Sequence, residues 1–382
     1  MKYDFDTIVE RKQTHSTKWS KFSDPNIIPM WIADMDFICP REITDAMHER
    51  IDQGIFGYTD TPNELSQILK ERIKLNSGWD IEEEWVTWVP GAVVALNISC
   101  KTALAPGEIV VTPSPIYAPF DEASKNMSRG MVKNFLKDNN GRMELDFDAT
   151  ESLLSKDTKM LFFCNPHNPG GTVFNKKEIT QLVEICEKHN VIICSDEIHS
   201  DLILQDDLRH FHLASLNEYA KLNSITILGP CKTFNLAGFP LAAAIIPNKE
   251  LREDFVRNTK GIVSHIDNLA FVASKAAYRD AGEWHKELTE YLKENKRILK
   301  EEINKVDGLS LSGPEAGFLA WIDCRETKLD APGDFFINHA GVGVHDGEWF
   351  GNKDYVRLNF GCPRSVLNES IERIQKAFSQ RN

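Results

Sequence analysis

The apolar positions of the chain fall into short continuous runs separated by longer amphipathic stretches. Met160–Cys164, Val191–Cys194, Ile225–Leu228 and Leu241–Ile246 are such runs. They predict strands buried on both faces, the pattern of a parallel sheet covered by helices. Between them the period changes. From Asn175 to Asn190, the residues Ile179, Leu182, Val183 and Cys186 share one helical face, with Asn175 as N-cap and Glu178 three residues on. That helix joins two of the runs, so the unit is β-α-β with a right-handed crossover. Trp85–Val89 and Glu108–Thr112 read as further strands, and a helical pattern runs from Ala92 to about Leu104. Thr61, Pro62 and Glu64 predict the cap, first position and capping box of a helix that buries Leu65, Ile68, Leu69 and Ile73.

The ends of the chain read differently. Residues 1–29 are polar and irregular, an arm lying on another surface. Met30–Phe37 predicts a short half-buried strand or turn. Glu283 to about Val306 is a long helical pattern, predicted to bridge two domains. Gly317–Ile322 and Tyr355–Phe360 read as strands, and Ser365–Gln380 as a closing helix. The predicted class is α/β. A large domain, 46–285, holds a mostly parallel sheet with flanking helices. A smaller α+β domain is drawn from both termini, 1–45 and 286–382.

Three successive strand-like runs end in a polar group: Asn168, Asp196 and Lys232. A parallel sheet brings such carboxyl ends to one edge, where ligands bind. An amine, a carboxylate and an amide around one pocket suit pyridoxal phosphate, which needs a lysine for its aldehyde carbon and a carboxylate for its ring nitrogen. Pro90-Gly91-Ala92-Val93, between a strand and a helix N-terminus, has the form of a phosphate-binding turn, offering the backbone N–H groups of Gly91, Ala92 and Val93. Arg357 points opposite to Val356 and Leu358 on its strand. A half-buried arginine needs an anion. An amino-acid carboxylate fits its fork, and an internal salt bridge is the alternative. Asp34 and Asp36 have no third oxygen-rich cluster after them, so no metal site is expected.

The segments Met30-Trp31-Ile32-Ala33-Asp34-Met35-Asp36-Phe37, His167-Asn168-Pro169-Gly170-Gly171, Ser195-Asp196-Glu197-Ile198-His199-Ser200-Asp201, Lys232-Thr233-Phe234-Asn235-Leu236-Ala237-Gly238 and Val356-Arg357-Leu358-Asn359-Phe360-Gly361 occur in that order. Together they resemble the fold-type I pyridoxal-phosphate enzymes of the aminotransferase class I/II group. Within it they resemble the cystathionine β-lyase (C–S lyase) branch, the MalY/PatB type. The resemblance implies that Tyr117 lies flat on the cofactor ring and that His199 contacts the cofactor. It implies that Ala33 offers backbone contact to the substrate carboxylate. It also implies that Tyr58 reaches the phosphate of a neighbouring subunit, so that the active unit is a homodimer. Lys232 is then the catalytic residue, and the activity is release of a thiol, pyruvate and ammonia from L-cystathionine or a related cysteine S-conjugate. An aminotransferase uses the same lysine and is the first alternative; a cofactor-binding regulatory protein without turnover is the second. One departure stands out. The family usually places serines before the lysine to bind phosphate, where this chain has Gly229 and Cys231.

Composition narrows the rest. The formal net charge of −13 argues against a nucleic-acid partner. The eight cysteines lie scattered, without a C-x-x-C pair or zinc spacing, which suits small core residues in a reducing cytosol. No apolar run approaches a membrane span, and the first residues lack the apolar core of a signal peptide. The expected location is the cytoplasm.

Overall fold

Seven strands form the main sheet of the protein, seen in a computed structural model that describes residues 2–381. In chain order they are β1 (Val86–Val89), β2 (Ile109–Ser114), β3 (Gly130–Phe135), β4 (Thr158–Cys164), β5 (Ile192–Asp196), β6 (Ser224–Leu228) and β7 (Ala242–Ile245). Their order across the sheet is β1-β7-β6-β5-β4-β2-β3. Every pairing is parallel except the two made by β7. The apolar runs are buried on both faces because the strand alternation serves two cores at once. Met160, Phe162 and Cys164 of β4 pack into one, and Leu161 and Phe163 into the other.

The helices follow the amphipathic stretches, with one correction. Helix α1 (Asn63–Ser77) buries Leu65, Leu69 and Ile73. It starts later than Thr61 predicts: Pro62 takes the N-cap position with no side-chain cap, and its carbonyl accepts the first turn's bond from Leu65 N at 3.0 Å. Thr61 lies one residue too early to cap it. Glu64 therefore closes no capping box and pairs with Lys275 at 2.5 Å. Helix α2 (Ala92–Ala103) begins directly after Gly91. Helix α3 (Lys176–His189) carries the full capping box of Asn175 and Glu178 and connects β4 to β5. The long helix α4 (Gly282–Ile303) buries Trp284, Leu288, Tyr291, Leu292, Leu299 and Ile303.

A second, antiparallel sheet holds β8 (Leu319–Asp323), β9 (His345–Asp346) and β10 (Tyr355–Asn359), with β10 in the middle. Helix α5 (Arg364–Ser379) closes the chain. Residues 31–37 form no strand. They follow a bent path held by two asparagines from distant segments. Asn235 accepts from Met35 N and donates to the carbonyls of Met35 and Phe37. Asn359 donates to the carbonyls of Ile32 and Asp34, at 2.6 Å each. The carboxylates of this segment are ion-paired: Arg11 bridges Asp34 and Asp36, and the buried Lys18 lies 2.6 Å from Asp36. The N-terminal arm is thus fastened to the main body by charge. Among the described residues no helix is long and apolar enough to cross a membrane, and all eight cysteines are free.

Candidate active site

The carboxyl ends of β2, β4, β5 and β6 open on a cavity of about 640 Å³. That is room for a cofactor and a small substrate together. Lys232, Asp196, Asn168, His199, Tyr117, Arg357, Ala33, Gly91, Ala92 and Val93 all line it. The strand-end residues predicted from separate motifs therefore meet in one place. Tyr58 does not join them. Its side chain is 94% exposed, beside His265, and does not line this cavity.

Each group has a physical setting. Lys232 Nζ donates to Ala33 O at 3.0 Å. Burial lowers its pKa, and the nearby Arg357 charge lowers it further. Asp196 is enclosed at the end of β5, and burial raises its carboxyl to about 6 against the opposing bond from Ile198 N. A cationic ring nitrogen placed beside it would restore its charge. Arg357 is 2% exposed. Its Nη1 donates to Asn168 Oδ1 and its Nη2 to Trp31 O, both at 2.9 Å, while Nε finds no partner. The guanidinium also packs over the Phe350 ring. No carboxylate pairs with it, so the internal salt bridge considered above is absent among the described residues. Because Arg357 can only donate, Asn168 must turn its oxygen to it, which leaves the amide N–H₂ free for the cavity. His199 is buried and held neutral near 3 by burial and the cations around it, and its Nδ1 has no partner.

The end of the cavity where phosphate is expected is built from backbone. Gly91 has φ +99°, a conformation glycine adopts without strain, and it turns the chain into the first N–H groups of α2. Gly229 is required by space: a Cβ there would lie 2.7 Å from Leu241 O. A serine cannot sit at this position without moving β7. Cys231 lines the cavity where the second serine is usual, and its Sγ exchanges weak bonds with Leu241 N and O at 3.4 Å. The fit to pyridoxal phosphate thus rests on specific features: a lysine of lowered pKa, a protonatable aspartate, a free amide donor, a buried arginine with no carboxylate partner and an unpartnered Nε, and a helix N-terminus.

The structure adds residues to those assigned roles from the sequence. Trp31, His345 and Trp349 form an aromatic wall at the cavity mouth, with His345 and Trp349 rings 4.5 Å apart. Arg11, Ser16 and Thr17 of the N-terminal arm complete the rim. Behind Asp196, Glu197 meets His210 and His212 at 2.8 and 2.5 Å. Three such groups suggest a metal, and the spacing decides against one. Ligand atoms around zinc at about 2.0–2.1 Å stand roughly 3.3 Å apart, whereas both histidines here contact the same oxygen. The other oxygen accepts from Ser195 Oγ and Leu213 N. Glu197 is a buried carboxylate with its hydrogen bonds filled, and it pins the loop after β5 to the strand end. The spacing of Glu197, His210 and His212 along the chain gave no warning of this cluster.

A mostly parallel sheet with an amine, a carboxylate, an amide and an arginine at its carboxyl edge defines a site for a pyridoxal-type cofactor and an amino-acid substrate. The family model for aminotransferase class I and II matches residues 25–374, and the chain belongs to that family. It is 35% identical to "Cystathionine beta-lyase PatB" of Bacillus subtilis (strain 168), over 98% of this chain and 100% of that one. Among solved structures it is similar to OvoB, with a TM-score of 0.96, 40% identity and 99% of each chain covered. It is also similar to cystalysin from Treponema denticola, which contains a pyridoxal 5'-phosphate cofactor, with a TM-score of 0.95, 31% identity and full coverage of both chains. The architecture is therefore that of the fold-type I transferases.

Proposed function

We propose that the protein is a pyridoxal-phosphate-dependent C–S lyase that cleaves L-cystathionine or a related cysteine S-conjugate to a thiol, pyruvate and ammonia. The observation that carries the cofactor chemistry is the convergence of Lys232, Asp196, Asn168 and Arg357 on one cavity. Full-length similarity to a cystathionine β-lyase supports the lyase branch.

When bound, pyridoxal phosphate supplies an electron sink for the pair left at the substrate Cα. Arg357, which has no carboxylate partner within the chain, binds the substrate carboxylate, and the backbone around Ala33 adds a second contact. Asp196 would hold a proton at the ring nitrogen. Asn168 would give its free amide, and His199 and Tyr117, which line the same cavity, would hold the ring. Lys232, with its pKa lowered, takes the proton from Cα. Expulsion of the thiolate from Cβ breaks the C–S bond, and hydrolysis of the remaining three-carbon fragment gives pyruvate and ammonia. The thiol would lie toward Trp31, His345, Trp349 and Arg11, which line the same cavity.

The phosphate binds to the N–H groups of Gly91, Ala92 and Val93. The run Ile55, Phe56 and Tyr58, 74%, 61% and 94% exposed, is an apolar patch of the kind that marks an interface. In this reading it belongs to a homodimer in which Tyr58 completes the partner's phosphate site. The division into 46–285 and the two terminal segments, and a cytoplasmic location, belong to the same reading. The test is pyruvate release from L-cystathionine by cofactor-loaded protein without a keto acid. Sustained turnover is expected. No pyruvate, together with an amino donor that converts the cofactor, would favour the aminotransferase.

A further inference from the structure

Strands β2 and β4 are neighbours, and they carry two groups that grip the cofactor in the reading above. Tyr117 follows β2, and Asn168 follows β4. Their paired residues run only from Ile109–Thr158 to Val111–Leu161, although β2 continues to Ser114 and β4 to Cys164. The ladder therefore stops short of the site, and Pro113 has no N–H to extend it. Nothing in the ladder fixes the spacing between Tyr117 and Asn168.

His167 spans this gap. Its Nε2 is 2.9 Å from Pro115 O, two residues before Tyr117. Its Nδ1 is 3.2 Å from Gly170 N, within the turn that carries Asn168. The backbone of the same residue bonds to Thr172 O and Gly171 N, at 2.8 and 2.7 Å. A carbonyl only accepts and an amide only donates, so the tautomer is forced: the proton is on Nε2 and the lone pair on Nδ1. Gly170 is part of the fitting. A Cβ there would stand 2.9 Å from His167 Nδ1 and 2.8 Å from Met143 Cγ. The ring is 3% exposed, and burial holds it neutral by pushing its pKa down to about 4.

We infer that His167 is a positioning residue: its neutral imidazole ties the ends of β2 and β4 together and so sets the spacing at which Tyr117 and Asn168 meet the cofactor. This rests on the pyridoxal-phosphate reading of the site. His167 itself touches neither cofactor nor substrate.

The experiment compares His167→Leu, which fills the space without the bonds, with His167→Gln, which keeps a donor and an acceptor. Cofactor affinity of each cofactor-free protein is titrated by absorbance, alongside kcat, KM and melting. The expected result is a folded His167→Leu protein whose cofactor Kd rises roughly 10-fold or more, since two buried hydrogen bonds are lost. Its kcat falls further than its KM rises, and His167→Gln recovers to within about 3-fold of the parent. A folded His167→Leu protein that binds cofactor like the parent overturns the inference. So does equal impairment in both variants. If His167→Leu does not fold, nitrogen NMR of the histidine-labelled parent decides. A ring protonated on Nε2 that does not titrate between pH 5 and 8 supports the inference, and titration near the ordinary histidine value, about 6.5, contradicts it. If the parent binds no pyridoxal phosphate, the cofactor reading fails first, and the nitrogen spectrum still reports on the two bonds.

Discussion

The two ends of the cavity are built by different means. At the ring and carboxylate end, this chain supplies charged and polar side chains: Lys232, Asp196, Asn168 and Arg357, each held by named contacts. At the phosphate end it supplies mainly backbone, the turn at Gly91 and the first N–H groups of α2, with Gly229 and Cys231 where hydroxyls are usual. The remaining candidate at that end, Tyr58, is exposed and does not line its own chain's cavity. Chemistry that depends on side chains is complete within one chain. In our reading, anion binding relies on backbone and on a second subunit.

Substitutions at the two ends should separate accordingly. The largest effect is expected for Lys232→Ala. Loss of the proton-transferring amine should lower kcat by about 10³-fold or more, while the protein stays folded by circular dichroism. Next comes Arg357→Gln, which removes the carboxylate's partner and strands Asn168. A fall in kcat/KM of roughly 10²-fold, mostly through KM, is expected in steady-state kinetics. Cofactor titration should change much less in this variant.

A third expectation follows from the raised carboxyl of Asp196. In the cofactor-free protein it is protonated up to about pH 6, against about 3.9 in an unfolded chain. The folded state therefore holds this proton more tightly, so stability falls as pH rises from about 4 to 6 and levels off above. Asp196→Asn should remove that part of the fall, up to about 3 kcal/mol. Melting of the cofactor-free parent and variant across this range checks it, and parallel pH curves would contradict the assignment. The smallest effect belongs to the phosphate end. Cys231→Ser adds a hydroxyl and should tighten cofactor binding by about 3-fold, the size of one exposed hydrogen bond. An unchanged Kd would place the phosphate away from Cys231.

The sequence made the side-chain end readable because strand-end residues keep their neighbours in the chain. Lys232, Asp196 and Asn168 each close an apolar run, and a parallel sheet brings such ends together. The other strands of the main sheet were readable for the same reason, except β3 (Gly130–Phe135), an edge strand whose half-buried residues make no continuous apolar run. What stayed hidden depends on contacts between distant segments. His345 lies in the two-residue strand β9 and Trp349 in the short turn of 3-10 helix after it, neither within a periodic pattern, and only the fold brings them to Trp31. Arg11 gains meaning from Asp34 and Asp36, and Glu197 from His210 and His212. The bent path of residues 31–37 resembles a strand in alternation, yet its backbone bonds go to Asn235 and Asn359. Helix α1 was displaced from Thr61 because a cap depends on the register of the first turn, which the capping pattern alone did not fix.

The contrast between the two ends can be tested in one preparation. Lys232→Ala and Tyr58→Ala proteins are mixed, allowed to exchange subunits, and assayed for pyruvate release from L-cystathionine at limiting pyridoxal phosphate. A mixed dimer would contain one site with both Lys232 and the partner's tyrosine intact. The account predicts activity well above the sum of the two separate proteins, approaching one quarter of the parent's sites for random exchange. Activity equal to that sum, with exchange confirmed by native mass spectrometry, would contradict a site shared between subunits.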